Sequence, residues 1–438
     1  MAAGSLTPSH RTLLENLADT PESACIKCGF CLPKCPTYRE TGLESASPRG
    51  RIHLMKLVAH GHLPADEIVE QLDLCLGCRA CETACPAGVK FGRLLEAGRE
   101  QTLATRQRSR TASWLGKTGE RLFFSGILPY LKRLDLMVDL LWLYQVSGLQ
   151  WLVRKSRLLS AFSETLSSLE LMLPTLPPPR LRRQLSAQTP AEGAERHRVG
   201  FLAGCVMRSV FAHINTATVR VLARHGCRVV TPRDVGCCGA LHAHHGDLAT
   251  ARQVARQTID GFDVGNLEAI VVNSAGCGAM LKEYGQLLKD DPLYRERAVA
   301  FSDKVRDVSE FLADLPPDIS LATLPLRVAY DDPCHLLHGQ GISREPRQLL
   351  QRIPGIELVP LPESDWCCGS AGTYNLAQPE MSQRLLERKM HHIAAVEPDV
   401  IASGNPGCLL QLGWGVRRSG LRAEVVHPIE LIDRASRG

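Results

Sequence analysis

Two short cysteine runs near the start of the chain have the spacing of a redox metal centre. Each run reads C-x2-C-x2-C-x3-C-P, which is the ligand spacing of [4Fe–4S] clusters. The runs contain Cys25, Cys28, Cys31 and Cys35, and then Cys75, Cys78, Cys81 and Cys85. Zinc or disulfides are the alternatives, but zinc sites usually use two C-x2-C pairs rather than four cysteines in one run. The spacing therefore predicts two [4Fe–4S] clusters.

The fourth cysteine of each run predicts that the two clusters share their ligands. Three thiolates spaced by two residues wrap one corner of a cluster, while the fourth lies too far along the chain to close the same cube. In two-cluster proteins it ligates the other cluster. We therefore expect the first cluster on Cys25, Cys28, Cys31 and Cys85, and the second on Cys75, Cys78, Cys81 and Cys35.

The composition favours a reduced, cytoplasmic protein. The 17 cysteines are compatible with a secreted disulfide scaffold, but a chain of 438 residues does not need such cross-links. Residues 1–20 lack the apolar core of a signal peptide. The uncharged, apolar stretch from Leu140 to Val153 is shorter than the roughly 20 residues that cross a membrane. We expect no transmembrane helix.

Periodicity predicts an α+β multidomain protein whose first part is helical. Residues 1–106 form the expected α-helical two-cluster ferredoxin domain, which begins with a short lead-in helix over residues 1–20. Residues 107–172 read as a helical connector without strands. Residues 173–198, rich in proline and arginine, read as a linker.

The connector is the basic part of the chain. Residues 101–198 contain 15 Lys/Arg and 7 Asp/Glu. An apolar stripe with Trp142 and Trp151 runs into Arg154 and Lys155. Such a helix lies on a membrane surface, docks a partner or packs in a core. Nucleic-acid binding is not expected, because no recognisable module interleaves aromatic residues with this charge.

The remaining sequence is an internal repeat of two α/β modules, over residues 199–320 and 321–438. Strand-like runs at Val199 to Ala203, Cys227 to Thr231 and Ala269 to Asn273 alternate with helical patterns. Corresponding cysteines recur 129 to 131 residues apart, and each module carries one CCG sequence. The repeat predicts two homologous modules stacked as a pseudo-dimer.

Each module has four matched cysteines that end or follow a strand-like run. They are Cys205, Cys237, Cys238 and Cys277, and then Cys334, Cys367, Cys368 and Cys408. Loops at the carboxyl ends of parallel strands converge in one crevice. A further iron–sulfur cluster in each module, a vicinal redox dithiol and a merely packed pocket remain open. Cys227 is left over and reads as a small buried apolar residue.

Several histidines near these cysteines are candidates to ligate a metal or donate hydrogen bonds. They are His242, His244, His245, His335 and His338. A lone histidine is more often simply packed, so none of them defines a site by its sequence position.

The chain resembles the iron–sulfur subunits of flavin-linked 2-hydroxy-acid and glycerol-3-phosphate dehydrogenases, most closely the glycolate oxidase (glycolate dehydrogenase) iron–sulfur subunits. The stretches that carry the resemblance are Pro48-Arg49-Gly50-Arg51-Ile52, Lys282-Glu283-Tyr284-Gly285, and Cys367-Cys368-Gly369-Ser370-Ala371-Gly372-Thr373-Tyr374. The B subunit of heterodisulfide reductase is a distant relative, whose modules end in C-x-x-C. Here Ser274 and Asn405 replace the earlier cysteine, which puts that relative's non-cubane cluster in doubt.

The resemblance implies an electron-transfer subunit in an oxidoreductase complex. A partner flavoprotein with FAD would oxidise glycolate to glyoxylate, and this chain would pass electrons toward a quinone at the cytoplasmic face of the inner membrane. The chain has no G-x-G-x-x-G fingerprint and no recognisable general base, so no catalytic residue is expected in it. The alternatives are a lactate or glycerol-3-phosphate dehydrogenase complex, and a heterodisulfide-reductase-like thiol redox enzyme.

Overall fold

Short helices surround the two cysteine runs in the computed structural model. The structure describes residues 20, 23–108, 119, 122–156, 170–317 and 319–437, so the expected lead-in helix lies outside the described residues. The helices of this N-terminal domain are α1 (Pro36–Thr41), α2 (Pro48–Ala59), α3 (Val69–Asp73), α4 (Ala80–Thr83) and α5 (Phe91–Arg108), with 3-10 turns at Glu44–Ala46 and Ala65–Ile68.

Helix α2 begins where its sequence predicts a helix start. Ser47 caps it by accepting a hydrogen bond from the Gly50 backbone N–H, and Pro48 occupies the first helical turn. A Cβ atom at Gly50 would lie 2.0 Å from the Glu44 carbonyl oxygen, so this turn requires glycine. The buried Arg51 then donates to Thr37 Oγ1 and to the Gln71 carbonyl. These bonds link α2 to α1, which contains Thr37, and to α3, which contains Gln71.

The residues of the connector that the structure describes are mainly helical. A π-helical turn (Leu122–Ile127) precedes α6 (Leu131–Val146) and α7 (Leu149–Ser156), and α8 (Pro179–Arg182) follows. Leu134 and Val138 are buried on the inner face of α6. No single helix within the described residues is long and apolar enough to cross a membrane, although α6 and α7 together, bent by 68°, have the required length and composition.

The first cysteine-rich module is a five-stranded sheet with helices between its strands. The strand order is β1-β3-β2-β4-β5, and only β1 is antiparallel. Its strands are β1 (Gln188–Thr189), β2 (His197–Leu202), β3 (Cys227–Val230), β4 (Ala269–Val272) and β5 (Val305–Asp307). Its helices are α9 (Cys205–Val210), α10 (Ala212–Arg224), α11 (Ala240–His245), α12 (Leu248–Asp260), α13 (Ala275–Lys282), α14 (Tyr284–Leu287), α15 (Arg295–Lys304) and α16 (Val308–Asp314), with a 3-10 turn at Val264–Asn266.

The second module repeats this arrangement with four parallel strands in the order β7-β6-β8-β9. Its strands are β6 (Leu326–Tyr330), β7 (Ile356–Val359), β8 (Val400–Ala402) and β9 (Glu424–Val426). Its helices are α17 (Cys334–Gln340), α18 (Glu345–Gln351), α19 (Tyr374–Ala377), α20 (Pro379–Val396), α21 (Pro406–Ser419) and α22 (Pro428–Ser436). The predicted α+β class, with alternating strands and helices in both modules, is confirmed.

The two modules share one continuous apolar core. Phe201 and Val271 of the first sheet belong to the same buried cluster as Tyr330 and Val400 of the second. Arg220 of α10 also reaches across to α22, where it forms a two-pronged ion pair with Asp433. The strand β1 lies inside the segment that the sequence assigns to a linker, and it pairs with β3 at the edge of the first sheet.

Candidate redox centres

Four cysteines from both N-terminal runs line one cavity. Cys35 comes from the first run, and Cys75, Cys78 and Cys81 come from the second. Burial raises the pKa of the Cys81 thiol, and the charges of the other three cysteines raise it further. The four side chains therefore meet as the second ligand set requires, although Cys35 is 40 residues distant in sequence from Cys75.

The surroundings of this cavity suit thiolates bound to an iron–sulfur cluster. The Gly77 backbone N–H donates to Cys75 Sγ at 3.4 Å, and Thr37 Oγ1 lies 3.4 Å from Cys35 Sγ. Hydrogen bonds to cluster sulfurs stabilise their negative charge and tune the reduction potential. Arg79 has a positive φ of 64° and directly precedes α4, the helix that contains Cys81.

The first expected ligand set lies closer to the surface. Cys25, Cys31 and Cys85 pack against the same apolar core, which contains Ile52 and Leu94. Burial raises the pKa of the Cys31 thiol, and the charge of Cys25 adds to the rise. Cys28 is exposed. Cysteines of both runs therefore pack against this one core.

The spacing of these side chains bears on the kind of metal centre that they can hold. Within the described residues, no group of three or more His, Cys, Asp or Glu side chains converges closely enough to hold one ion. The ligands of a cubane stand farther apart, because a cube of four irons and four sulfides lies between them. The thiol donors, the enclosing cavity and the N–H donor at Cys75 fit such a cluster.

The first module brings its four cysteines together at the carboxyl ends of its strands. Cys205 and Cys237 share a hydrogen bond, which raises the pKa of the Cys237 thiol. Cys238 and Cys277 share another, which raises the pKa of the Cys238 thiol. The leading influences on these thiols are one another and their burial.

The second module assembles Cys334, Cys367, Cys368 and Cys408 in the same way. Hydrogen bonds from Cys367 and Cys408 lower the pKa of the Cys368 thiol, and the charge of Lys389 lowers it further. A hydrogen bond from Cys367 likewise lowers the pKa of the Cys334 thiol. These shifts favour the thiolates of Cys334 and Cys368, which are the form that binds metals or attacks disulfides. The same hydrogen bonds raise the pKa of the Cys367 and Cys408 thiols, and in the first module the hydrogen bond with Cys237 lowers the pKa of the Cys205 thiol.

The N-terminal domain docks directly on the cysteines of the second module. Cys78 and Cys334 are close enough for their charges to raise the pKa of the Cys78 thiol, for which burial is the largest cause. Cys78 packs in one buried cluster with Trp366, Cys367 and Tyr374. The second ligand set of the N-terminal domain and the cysteine pocket of the second module are therefore neighbours.

The cysteines of the first module pack against the connector rather than against the N-terminal domain. Cys205 and Cys237 pack in one apolar cluster with Leu134 and Val138 of the connector helix α6. Phe124 of the π-helical turn joins this cluster, and its carbonyl oxygen lies 2.9 Å from His242 Nε2. The connector thus covers the first cysteine pocket, whereas the N-terminal domain adjoins the second.

The candidate histidines are divided among several hydrogen bonds. His244 Nδ1 lies 3.3 Å from Glu96, and His338 Nδ1 lies 2.9 Å from Thr83 Oγ1. The ring of His245 stacks on Phe124. His335 Nδ1 lies 3.5 Å from Cys334 Sγ. Burial lowers the pKa of His338, and the charge of Cys334 raises it to a smaller extent. The contacts of His244, His245 and His338 each link different elements of the fold.

Asn405 occupies the place where the C-x-x-C pattern would have a cysteine, and it links the two modules. Its side-chain amide donates to Cys408 Sγ at 3.5 Å. Its Oδ1 accepts from the Gly276 backbone N–H at 3.1 Å. A cysteine could not make both bonds, so the substitution exchanges a sulfur ligand for a bridge between the modules.

Sequence reasoning missed a buried lysine beside the second cysteine pocket. Lys389 on α20 is fully buried and pairs with Asp331 at the end of β6. Lysine on an amphipathic helix is usually exposed, so composition gave no reason to single it out. Cys227, the unmatched cysteine, lies in β3, and burial raises the pKa of its thiol to about 12.

Comparisons with known proteins match the whole organisation of the chain. Residues 22–89 match a 4Fe-4S dicluster domain. Residues 115–173 match the linker region of the glycolate oxidase iron-sulfur subunit. Residues 199–282 and 328–413 each match a cysteine-rich domain. The order of these matches follows the order of the N-terminal domain, connector and two modules.

Individual relatives agree with the domain matches. The chain is 44% identical over 419 residues to the "Probable glycolate oxidase iron-sulfur subunit" of Bacillus subtilis, covering 94% of this chain and 93% of that protein. It is 34% identical over 427 residues to the glycolate oxidase iron-sulfur subunit of Escherichia coli, covering 95% of each. Lactate utilization protein A of Oceanobacillus iheyensis is 34% identical over 242 residues, covering 55% of this chain and 98% of that protein. The chain belongs to the family of glycolate oxidase iron–sulfur subunits.

Proposed function

We propose that this chain relays electrons from a partner flavoprotein that oxidises glycolate to glyoxylate. The proximity of two cysteine sites, with Cys78 beside Cys334, is the observation that carries the proposal. A flavin accepts a hydride, which brings two electrons together, whereas an iron–sulfur cluster changes charge by one electron. A chain of such clusters therefore takes the flavin's electrons singly and passes them on.

Eight cysteines hold the two clusters in this proposal. Cys25, Cys28, Cys31 and Cys85 hold the first, and Cys35, Cys75, Cys78 and Cys81 hold the second. The common cavity of the second set supports this assignment, as does the shared core of Cys25, Cys31 and Cys85. When bound, the clusters supply one-electron redox chemistry. The chain's own side chains fix the separation of the clusters and exclude water from the second one.

The connector holds the complex on an anionic membrane surface in this proposal, with a quinone as the electron acceptor. Leu136, Leu140 and Leu143 form an exposed apolar stripe on α6. Trp151 on α7 is 63% exposed, and Lys155 lies over its ring. Apolar side chains beside basic ones are the pattern of helices that lie in the membrane interface.

Vesicle binding tests this membrane contact. The purified complex should co-sediment with anionic lipid vesicles at low salt and release at high salt, and Leu140→Glu should weaken binding. Neutral vesicles should bind less. A complex that ignores anionic vesicles at low salt would exclude the membrane contact, without bearing on electron transfer.

Substrate-dependent reduction tests the main proposal. The chain is co-expressed with its flavoprotein partners, and the iron–sulfur absorption is followed anaerobically after adding glycolate, lactate or glycerol-3-phosphate. Glycolate should bleach the clusters fastest, and the isolated chain should not respond to any of the three. Faster bleaching by lactate would favour a lactate dehydrogenase complex, in keeping with the similarity to lactate utilization protein A.

A thiol–disulfide reductase is the competing function. It gains support from the lowered pKa of the Cys368 thiol, which has hydrogen bonds from Cys367 and Cys408 as its main causes. If this were the function, Cys368→Ser would abolish activity. Both cubane signals in electron paramagnetic resonance would stay at wild-type levels, and so would the iron bound to the rest of the chain.

A further inference from the structure

The second module contains a buried ion pair beside its cysteines. Lys389 Nζ lies 2.8 Å from Asp331 Oδ1, and the two side chains are 0% and 2% exposed. The ammonium also donates to the backbone carbonyls of Glu363 and Ser364. Ser403 donates from its hydroxyl to Asp331 Oδ2. Both charges thus have several partners, as buried charges require.

The internal repeat identifies the residue of the first module that corresponds to Asp331. Asp331 precedes Cys334 by three residues, and Leu202 precedes Cys205 by three residues. Both lie at the carboxyl end of the strand that leads to the first cysteine of the module. The first module therefore has a buried leucine where the second has a carboxylate.

The residue that corresponds to Lys389 follows from the packing of the CCG glycines. Gly239 packs against the Ala251 carbonyl, and Gly369 packs in the same way against the Ser382 carbonyl. Seven residues farther along these helices come Thr258 and Lys389, respectively. Thr258 is buried, and its hydroxyl donates to the Cys237 carbonyl. The first module thus has a neutral hydroxyl in place of the ammonium.

The ion pair acts on the cysteines of its own module. Met390, the neighbour of Lys389 on α20, packs in one buried cluster with Cys368 and Cys408. Asp331 directly follows β6 and stands three residues before Cys334. The two charges therefore act on the same pocket in opposite directions.

Stability alone gives no reason for the pair. Replacing a buried ion pair by well-packed apolar residues is often neutral or stabilising. The first module folds with Leu202 and Thr258 at the equivalent places, so the shared architecture does not require charges there. The pair is instead found in the module whose Cys334 adjoins Cys78.

We propose that the second cysteine-rich module, rather than the first, exchanges electrons with the cluster on Cys35, Cys75, Cys78 and Cys81, and that Lys389 and Asp331 set the charge of its cysteine site. The inference rests on the proposed electron relay and names the next electron acceptor in it. One electron leaves the N-terminal cluster, which is oxidised, and reduces an iron–sulfur group on Cys334, Cys367, Cys368 and Cys408. Reduced flavin in the partner subunit supplies the electron.

Matched cysteine variants test which module carries the redox group. Cys368→Ser and Cys238→Ser alter the same position of the two modules. In the full chain, Cys368→Ser should lower the iron content and remove one paramagnetic signal besides those of the two cubanes. Cys238→Ser should leave that signal and its amplitude intact. The inference is overturned if Cys238→Ser removes it, or if wild-type protein contains no iron beyond the two cubanes.

Charge variants test the roles of Lys389 and Asp331. Reduction adds negative charge beside Lys389, so Lys389→Met should lower the midpoint potential of the additional signal. Asp331→Asn should raise it, because a negative charge is removed. Thr258→Val, at the place of Lys389 in the first module, should leave the potential unchanged. Equal potentials in all four proteins, or shifts of the same sign for both charge variants, would overturn these roles.

A double replacement covers the case in which one unpaired buried charge prevents folding. Asp331→Leu together with Lys389→Thr installs the residues of the first module and keeps the net charge. This protein should fold, retain both cubane signals and show an altered or absent additional signal. An unaltered additional signal would overturn the inference. Absence of the cubane signals from wild-type protein would instead overturn the proposed relay. A failure of the inference and a failure of the relay are therefore distinguishable.

Discussion

The hydroxyl of Tyr374 in the second module donates to the Leu74 carbonyl of the N-terminal domain at 2.9 Å. Leu74 immediately precedes Cys75, so this bond holds the second cysteine run against the second module. Trp366 and Cys78 pack in the same buried cluster. The contact holds the two cysteine sites at a fixed separation, as electron transfer between them would require.

Removing the Tyr374 hydroxyl should loosen this contact. Tyr374→Phe leaves the Leu74 carbonyl without its partner, at a cost of about 1 kcal/mol. Hydrogen exchange should become faster over residues 74–78, which mass spectrometry of peptides can detect. Tyr284→Phe is the matched control, because Tyr284 donates to the Cys238 carbonyl within the first module. Equal exchange over residues 74–78 in wild type and Tyr374→Phe would contradict the docking role.

Asp307 should make the protein less stable as the pH rises. Burial raises the pKa of this carboxyl to about 7, although the Ser309 backbone N–H lowers it. Unfolding returns it to its ordinary value of about 3.9. Between these values the folded state holds a proton that the unfolded state has released, so stability falls as the pH rises from about 4 to 7.

The variant Asp307→Asn should remove this dependence while keeping a side-chain oxygen to cap α16. Denaturant unfolding at several pH values measures the difference in stability between variant and wild type. The variant should gain stability relative to wild type as the pH rises through about 4 to 7. A constant difference across that range would show that Asp307 keeps its ordinary pKa.

His427, which caps α22 of the second module, should make the protein less stable as the pH falls. Burial lowers the pKa of its imidazole to about 4. Its Nδ1 accepts from the Ile429 backbone N–H, and its Nε2–H donates to the Asn273 carbonyl, an arrangement that requires the neutral ring. The stabilisation is therefore complete above the ordinary pKa of about 6.5, and it is lost as the pH falls toward 4.

Substituting His427 by asparagine tests this loss. His427→Asn retains a cap for the Ile429 N–H but has no group that titrates in this range. Its stability at pH 7 should be lower than that of wild type, since the bond to Asn273 is lost. The deficit should shrink as the pH falls from about 6.5 to 4. A deficit that grows on acidification would contradict the neutral assignment.

Gly50 should tolerate no side chain. A Cβ atom there would lie 2.0 Å from the Glu44 carbonyl oxygen, which is backbone and cannot move aside cheaply. Gly50→Ala should therefore destabilise the protein by about 1–3 kcal/mol, as overpacking of a core does. Thermal unfolding measures this, with Gly265→Ala as the control because its surroundings are open. Similar melting temperatures for both variants would contradict the steric argument.

Local patterns made much of this organisation predictable. Cysteine spacing identified the four members of each N-terminal run, and Ser47 with Pro48 marked the start of α2. Strand periodicity with the repeat of cysteines identified both modules. Such signals depend on residues close in sequence, or on a repeat that can be read directly.

The relations between domains were not predictable from these patterns. The approach of Cys78 to Cys334 depends on how two domains pack, and no local spacing encodes it. Lys389 was missed because its burial depends on Asp331, 58 residues earlier. By its sequence position Asn405 replaces a cysteine ligand, whereas its two hydrogen bonds give it a role between the modules. In each case the residue can be read from the sequence, but the residue that it contacts depends on how the chain packs.

Anaerobic iron and sulfide analysis with electron paramagnetic resonance is the most direct test of the central claim, that the N-terminal cysteines hold two [4Fe–4S] clusters. The full chain should contain at least about eight irons and eight sulfides, with two interacting cubane signals after reduction. Cys35→Ser should damage mainly the cluster of the second run, and Cys85→Ser mainly that of the first. Zinc without sulfide, or loss confined to each variant's own run, would contradict the account.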